Sequence, residues 1–199
     1  MSKRHQKAYD SVLDLIGWTP IVRLSSVTDG ARTPLYAKCE FMNPGGSIKD
    51  RIGLAMLEAA ERDGSLKPGG TMVEATGGNT GLALAMAASI KGYRCICTMP
   101  DKMSTEKAKL LRAFGAEVII TPTAVPPDHP DHYLQQARSI AAETPGAVMA
   151  DQFYNPANPD AHHDTTGPEI WEQSEGRVLG ATYAEGVKGS WRRRAPNVR

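Results

Sequence analysis

Short apolar runs alternate along the chain with longer segments whose apolar residues recur at helical spacing. The runs predict strands at 72–75, 93–98, 117–121 and 148–150, and the periodic segments predict helices at 81–91, 105–114 and 133–143. Strands separated by helices of about ten residues need right-handed crossovers between parallel neighbours. The pattern therefore predicts an α/β fold built on an open parallel sheet with flanking helices.

The first 40 residues follow a different pattern, with shorter elements. Residues 1–11 are a polar lead, and 12–17 predict a short helix closed by a glycine. Two further strands are predicted at 21–24 and 35–38. This part is therefore expected to stand apart from the alternating strands and helices.

The segment 43–51, Asn-Pro-Gly-Gly-Ser-Ile-Lys-Asp-Arg, is a tight turn that leads into a helix ending near residue 63. Ser47 is a suitable N-cap, which places Lys49 in the first turn. The positive end of the helix dipole and partial burial would both lower the lysine pKa and leave a nucleophilic amine suited to Schiff-base chemistry. The alternative is a capped amphipathic helix with a solvated lysine.

The segment 76–81, Thr-Gly-Gly-Asn-Thr-Gly, lies between a predicted strand and a predicted helix. Ligands of open parallel sheets bind beyond the carboxyl ends of the strands, and successive N–H groups with hydroxyls suit a small carboxylate or phosphate. The alternative is a structural turn capped by Asn79 or Thr80. A reactive lysine and an anion cradle in one domain together favour an amino-acid substrate.

Composition changes this picture little. The chain has 199 residues, 41% of them hydrophobic, and a net charge of +1, which gives no reason to expect a nucleic-acid partner. The longest apolar run, about 82–90, is too short to cross a membrane, and no secretory signal is visible. Three cysteines, at 39, 95 and 97, are too few for a disulfide framework. We therefore expect a cytoplasmic protein with no membrane partner.

A metal site is not expected. His162, His163 and Asp164 are adjacent along the chain, so their side chains point in different directions, and no third ligand is suitably spaced. Cys95 and Cys97 are two apart on a predicted strand and are expected to be small core residues.

Taken together, the motifs resemble the cysteine synthase and cystathionine β-synthase family of pyridoxal-phosphate enzymes, which have the tryptophan-synthase-β fold (fold type II). Lys38-x-Glu40 with 43–51 is similar to the family's lysine motif, and 76–81 to its Thr-Ser-Gly-Asn-Thr-Gly substrate loop, with Gly77 as a departure. A third block begins at Asp151-Gln152-Phe153 and ends at Ile170. The likeness covers roughly residues 10–178, and several segments look more like cystathionine β-synthase.

The resemblance implies a role for each matching residue. Pyridoxal 5′-phosphate would be bound by Lys49, which would also act as general base and acid, and Asn79 would hydrogen-bond the cofactor's ring hydroxyl. The substrate carboxylate would be held by five residues, namely Thr76, Gly77, Gly78, Thr80 and Gln152.

The implied reaction is β-replacement on serine or O-acetylserine by a thiol, with homocysteine giving cystathionine. The alternatives are a cysteine synthase, which uses sulfide, and a non-catalytic truncated copy. The partners would be amino-acid and thiol substrates and, as in intact family members, a second copy in a homodimer.

The resemblance also predicts the domain organisation. Residues 1–155 would form an N-terminal α/β domain, in which about 12–40 cross toward a second domain. Residues 156–178 would begin an incomplete C-terminal cofactor domain, and 179–199 would be an aberrant basic tail. The family's Gly-Thr-Gly-Gly-Thr phosphate loop has no counterpart in that tail. The expectation is therefore a truncated chain that retains the cofactor weakly.

Overall fold

The computed structural model describes residues 8–26, 29–30 and 32–181. It contains six strands and six α-helices in those ranges. The strands are β1 (Ile21–Arg23), β2 (Tyr36–Lys38), β3 (Thr71–Ala75), β4 (Arg94–Pro100), β5 (Glu117–Thr121) and β6 (Ala147–Met149). The helices are α1 (Lys49–Arg62), α2 (Asn79–Lys91), α3 (Thr105–Ala113), α4 (Tyr133–Glu143), α5 (Ala157–Ala161) and α6 (Gly167–Gln173).

Strands β3 to β6 form a four-stranded sheet in the order β5-β4-β3-β6, and every neighbouring pair is parallel. Strand β3 is central: it pairs with β4 from Thr71 to Ala75 and with β6 from Thr71 to Val73. All five of its residues are buried. The prediction of an α/β fold with a parallel sheet between helices is confirmed.

The sheet has an apolar cluster on each face, as the alternation of side chains along a strand requires. On one face, Met72 and Cys97 pack with residues of α1, α2 and α3, including Ile52 and Leu84. On the other, neighbouring strand residues such as Val73 and Ile96 pack against Ala137 of α4. Cys95 and Cys97 both belong to the first cluster, with their sulfur atoms 3.9 Å apart, so the prediction that they are core residues is confirmed.

Strands β1 and β2 form a separate antiparallel pair, with Ile21 opposite Lys38. This hairpin contacts α6 through polar groups: Lys38 Nζ donates to Gln173 Oε1 at 2.9 Å, and Gln173 Nε2 donates to the Thr19 carbonyl at 3.0 Å. The predicted domain boundary near residue 155 stays a prediction.

Helix starts differ from the sequence expectation at two positions. Helix α2 begins at Asn79, with Gly78 as its N-cap and no side-chain cap bond, so the alternative in which Asn79 or Thr80 caps the helix is wrong. The N-cap of α1 is Ile48 rather than Ser47. Ser47 Oγ nevertheless accepts the Lys49 N–H at 3.1 Å. Because its hydroxyl accepts the Lys49 N–H, which has no partner within the helix, Ser47 caps the first turn from one position before the N-cap.

The segment after residue 155, predicted as the start of a second domain, is helical. It forms α5, then a π-helical turn (His162–Thr166), then α6. Residues 179–181, at the start of the predicted basic tail, are exposed and without regular structure, and 182–199 lie outside the described residues. Among the described residues, no helix is long and apolar enough to cross a membrane.

Candidate active site

The turn before α1 is held by two side chains that bond to its backbone. The buried Asn43 side chain donates to the Ser47 carbonyl at 3.1 Å and accepts the Gly17 N–H at 2.8 Å. Asp50 Oδ2 accepts the N–H of Gly45, where an added Cβ would lie 2.5 Å from Asp50 Oδ1. A side chain at position 45 would therefore have to displace the buried Asp50 carboxyl group, whose bond to the Gly45 N–H ties the turn to the start of α1.

Lys49 is the first residue of α1 and is half-buried. His162 is buried in the π-helical turn. Burial, together with the positive charges of Arg51 and Lys49, lowers the pKa of His162 to about 4. At neutral pH His162 is therefore the uncharged imidazole. The lowered pKa expected for Lys49 stays a prediction.

The glycine-rich segment continues directly from β3 into α2. The Thr76 N–H donates to the Thr98 carbonyl at 2.9 Å, and Thr76 Oγ1 accepts the Gly78 N–H at 3.1 Å. Thr76 and Thr80 are buried, Gly77 and Gly78 half-buried, and Asn79 exposed. The five residues thus form a short turn whose centre reaches solvent at the N-terminus of a helix, which is a favourable place for an anion.

Gly77, the departure from the family motif, lies against two methionines. An added Cβ would come within 2.7 Å of Met99 Cγ and 3.0 Å of Met103 Cγ. Met99 is almost fully buried and belongs to the larger core cluster. A side chain at position 77 would therefore have to displace the core, and Gly77 has only its backbone to offer a ligand.

Gln152 reaches this turn from the end of β6, the strand that pairs with β3. Asp151, just after β6, has φ 47°, in the left-handed region that side chains other than glycine rarely adopt. From there Gln152 Oε1 accepts the Thr80 hydroxyl at 2.6 Å. Asn158 Nδ2 donates to the Gln152 carbonyl at 2.7 Å. Two predicted carboxylate-binding residues, 72 positions apart, are therefore in direct contact.

The same amide binds a residue that the motifs did not indicate. Gln152 Nε2 donates to Glu74 Oε1 at 3.0 Å. Glu74, the fourth of the five residues of β3, is 1% exposed. The available signal was a glutamate in a strand of a predicted parallel sheet, where a charged side chain is uncommon unless it is paired.

The lysine and the glycine-rich turn are related by the crossing of α1 and α2. At Gly53, an added Cβ would lie 2.6 Å from Ala83 Cβ, so the two helices are in backbone contact there. Gly53 and Ala83 each lie four residues from the first residue of their helix, Lys49 and Asn79. Four residues span about 6 Å of helix axis, so both N-termini lie about one turn from the same crossing point.

A buried cluster of ion pairs links the start of α1 to Glu40 and to α6. Arg51 Nε and Nη2 donate to Glu40 at 2.8 Å, and its Nη1 and Nη2 donate to Glu169 at 2.7 Å. Lys38 Nζ lies 2.7 Å from Glu169 Oε2. Burial alone would raise the pKa of Glu169, but hydrogen bonds from Arg51 and Lys38 outweigh it and bring this pKa to about 2. The cluster is thus ionised at neutral pH and ties α1 to α6.

Two other features are separate from this site. A groove of about 700 Å³ between α1 and α5 is lined by residues such as Leu54, Ala59 and Asp160, and by neither Lys49 nor residues 76–80. Within the described ranges, no group of three or more His, Cys, Asp or Glu side chains is placed to hold a metal ion. His163 and Asp164 are exposed, whereas His162 is buried and bonded through Nδ1 to Thr166 at 3.0 Å.

The lysine and the glycine-rich turn, each about one helical turn from the contact of Gly53 with Ala83, can be compared with known proteins. The sequence profile of the family described as "Pyridoxal-phosphate dependent enzyme" matches residues 12–184. The chain belongs to this family. The assignment confirms the expected resemblance and, at the level of the family, pyridoxal phosphate as the cofactor.

The relatives include proteins with two names. A cystathionine beta-synthase of Apis mellifera is 45% identical over 188 residues, covering 94% of this chain and 37% of that protein. A cysteine synthase of Staphylococcus aureus is 46% identical over 179 residues, covering 90% of this chain and 56% of that protein. The crystal structure of O-ureido-L-serine synthase matches with a TM-score of 0.79 and 43% identity, covering 87% of this chain and 53% of the other. The chain therefore spans between about a third and just over half of these proteins.

The residues present fit the family's cofactor. The amine that would meet its aldehyde lies at a helix start, half-buried, and the exposed Asn79 amide lies about one turn from the same helix crossing. The buried His162 Nε2 has no hydrogen-bond partner among the described residues, which leaves one polar atom available to a ligand.

Proposed function

We propose that this site carries out β-replacement on a three-carbon amino acid with pyridoxal phosphate held at Lys49. The observation that supports this most is the contact at Gly53 and Ala83, because it brings the lysine and the anion-binding turn to one crossing point. When bound, pyridoxal phosphate supplies an electron sink that makes the amino acid's α-proton acidic and allows a β-substituent to leave.

Different residues of the chain would bind the cofactor, transfer the proton and bind the substrate carboxylate. Lys49 would hold the cofactor and move a proton at the amino acid's α-carbon, and Asn79 would donate a hydrogen bond to the ring oxygen of the cofactor. The carboxylate would be bound by the N–H groups of Gly77 and Gly78 and by the side chains of three residues, namely Thr76, Thr80 and Gln152. The positive end of the α2 dipole adds attraction for that carboxylate.

For the nucleophile we propose homocysteine, with serine or O-acetylserine as the first substrate and cystathionine as the product. The segments 60–69 and 92–104 support this choice by their likeness to cystathionine β-synthases. The cysteine synthase reaction, sulfide on O-acetylserine, is the second candidate, since a cysteine synthase is 46% identical to the chain. A homodimer and a cytoplasmic location belong to the same proposal.

Reductive trapping tests the proposal. The purified protein is incubated with pyridoxal phosphate, reduced with borohydride and digested, and the labelled peptide is identified by mass spectrometry. We expect label at Lys49, loss of label in Lys49→Ala, and full label in the control Lys109→Ala, which changes an exposed lysine of α3. Label on any other lysine would overturn the assignment.

Turnover separates the two candidate reactions. Cofactor-loaded protein is assayed with serine or O-acetylserine, each combined with homocysteine or sulfide. Cystathionine formed by the wild type and not by Lys49→Ala supports the first candidate, and cysteine formed from O-acetylserine and sulfide alone supports the second. Equal rates in wild type, Lys49→Ala and blank would contradict both and support a non-catalytic chain.

A further inference from the structure

Glu74 is a carboxyl group placed where a parallel sheet normally carries an apolar residue. Its side chain points from the central strand β3, and it is 1% exposed. One oxygen, Oε1, accepts from Gln152, whereas Oε2 has no hydrogen-bond partner among the described residues. A buried carboxylate with one oxygen unpaired is costly, so packing alone does not explain this residue.

Hydrogen bonds run in one direction from the Thr80 hydroxyl through the Gln152 amide to the Glu74 carboxylate. A carboxylate can only accept, so ionised Glu74 requires the N–H side of the Gln152 amide to face it. The amide oxygen then faces Thr80 and accepts its hydroxyl at 2.6 Å. In this arrangement the Thr80 hydroxyl already donates its proton to Gln152 and cannot donate to a ligand. A protonated Glu74 could donate to the amide oxygen instead, and the Thr80 hydroxyl would then be free to donate to a ligand.

A substrate carboxylate that binds beside Glu74 shifts the protonation equilibrium of Glu74. A second negative charge beside a buried carboxylate favours the neutral form of the buried group. Burial already raises the pKa of Glu74 to about 7, and the bonds from Gln152 offset it only in part. Other titratable groups near Glu74 are Asp151 and Cys97. The charge of Asp151 adds to the rise in the Glu74 pKa, whereas its backbone N–H opposes it. The pKa of the Cys97 thiol is itself raised by its bond with Cys95 and by burial.

Resting on the proposed function, we propose that Glu74 is a positioning residue: it sets the orientation of the Gln152 amide and takes up a proton when an amino-acid carboxylate binds at Thr80 and Gln152. The proton passes from solvent to the Glu74 carboxyl group, which turns its O–H toward Gln152 and donates to the amide oxygen as the amide turns. The Thr80 hydroxyl and the remaining Gln152 N–H then become donors to the ligand. No electron moves and no covalent bond between heavy atoms changes.

The first experiment needs no cofactor. The side-chain amide signals of Gln152 are assigned by NMR, with Gln152→Asn as the assignment variant, and followed from pH 5.5 to 8.5. We expect a shift with a midpoint near 7 in the wild type and none in Glu74→Gln. The control Glu117→Gln, which changes an exposed carboxylate paired with Arg94, should titrate like the wild type. A Gln152 amide that does not titrate in the wild type overturns the proposal, even if Glu74→Gln fails to fold.

The second experiment measures binding. Titration calorimetry of the cofactor-loaded protein with L-alanine, which has no β-leaving group, is repeated at pH 7 in buffers of different ionisation enthalpy. We expect proton uptake by the wild type and by Glu117→Gln. We expect no uptake by Glu74→Gln, which should bind at least as tightly as the wild type because its neutral amide can donate to the Gln152 oxygen without a proton. Binding without proton uptake overturns this inference and leaves the proposed function standing. No binding by the wild type overturns the proposed function itself.

Discussion

At position 51 one guanidinium serves two carboxylates that lie 11 and 118 residues away along the chain. The Arg51 side chain is 2% exposed, and those of Glu40 and Glu169 are 13% and 4% exposed. In such a pair the Coulomb gain and the desolvation cost nearly cancel, but removing one partner leaves an uncompensated buried charge. The cluster is therefore far more sensitive to the loss of one member than its net contribution to stability suggests.

Glu169→Ala should destabilise the fold by about 3–5 kcal/mol, because Arg51 and Lys38 then lose their shared acceptor. The matched control is Glu175→Ala, which breaks an exposed pair with Arg177 and should cost under about 1 kcal/mol. Urea unfolding followed by circular dichroism measures both. Equal midpoints for the two variants would show that the buried cluster adds nothing to stability.

Glu74 gives a pH dependence of unusual sign. Its pKa is raised from 4.5 to about 7, so the folded state holds the proton more tightly and stability falls as pH rises through that range. The shift corresponds to roughly 2–4 kcal/mol between pH 4 and pH 8. His162 acts in the opposite direction, since its lowered pKa makes stability fall as pH drops from about 6.5 to about 4.

The variant Glu74→Gln isolates the Glu74 contribution. The difference in unfolding free energy, variant minus wild type, should rise as pH increases from 5 to 8, while the His162 contribution cancels in that difference. Urea titrations at four pH values provide the measurement. A difference that stays constant with pH would mean that Glu74 has the same pKa folded and unfolded.

At the level of elements, the contact between α1 and α2 depends on the absence of a side chain at Gly53. Alanine is the better helix former by about 1 kcal/mol, yet its Cβ would meet Ala83 Cβ at 2.6 Å. Since neither atom belongs to a flexible side chain, the helices would have to separate. The steric effect therefore outweighs the propensity.

We expect Gly53→Ala to cost about 1–3 kcal/mol and to weaken trapping of pyridoxal phosphate at Lys49. Ser89→Ala, an exposed change in α2, serves as the control and should be neutral or slightly stabilising. Thermal unfolding and borohydride labelling are measured on the same samples. A stabilised Gly53→Ala with unchanged labelling would contradict the close helix contact.

Elements with clear turn residues at both ends were predictable from the sequence. Strand β5 and helix α4 have the predicted bounds, and Gly92 ends α2 with φ 79°. The start of α2 was not found, because glycine is its N-cap and no side chain marks the position. The π-helical turn was missed because five residues, between two short helices, are too few to show a period.

The sequence was enough to propose candidate site residues, but it did not indicate the contacts between them. Local motifs with a recognisable resemblance pointed to Lys49 and residues 76–81. The bond between Thr80 and Gln152 spans 72 positions, and that between Arg51 and Glu169 spans 118. Hydrophobic periodicity reports the neighbours within one element, so it contains no information about such pairs.

Across the whole molecule, packing is unequal. The central strand β3 has a strand on each side and helices on both faces, whereas the hairpin of β1 and β2 has two strands of three residues. Isolated two-stranded hairpins are marginal in water, and local opening follows contact density. The hairpin relies on its polar bonds to α6.

Hydrogen exchange should reveal this inequality. Amides of β3 and β4 are expected to exchange only with global unfolding, and those of β1 and β2 at least about a hundredfold faster. Glu169→Ala should increase exchange in the hairpin more than in β3, because Lys38 loses an ion pair at 2.7 Å. Equal protection of both sheets would contradict this ranking.

The long reach of Arg51 has a consequence for synthesis on the ribosome. Residue 169 is made 118 residues after Arg51, which at 5–20 residues per second is a delay of about 6 to 24 s. During this interval the Arg51 guanidinium can pair only with Glu40. The start of α1, where Lys49 lies, therefore lacks its contact with α6. Until Glu169 is synthesised, the positive charges of Lys38 and Arg51 in the nascent chain are therefore balanced only in part, by Glu40.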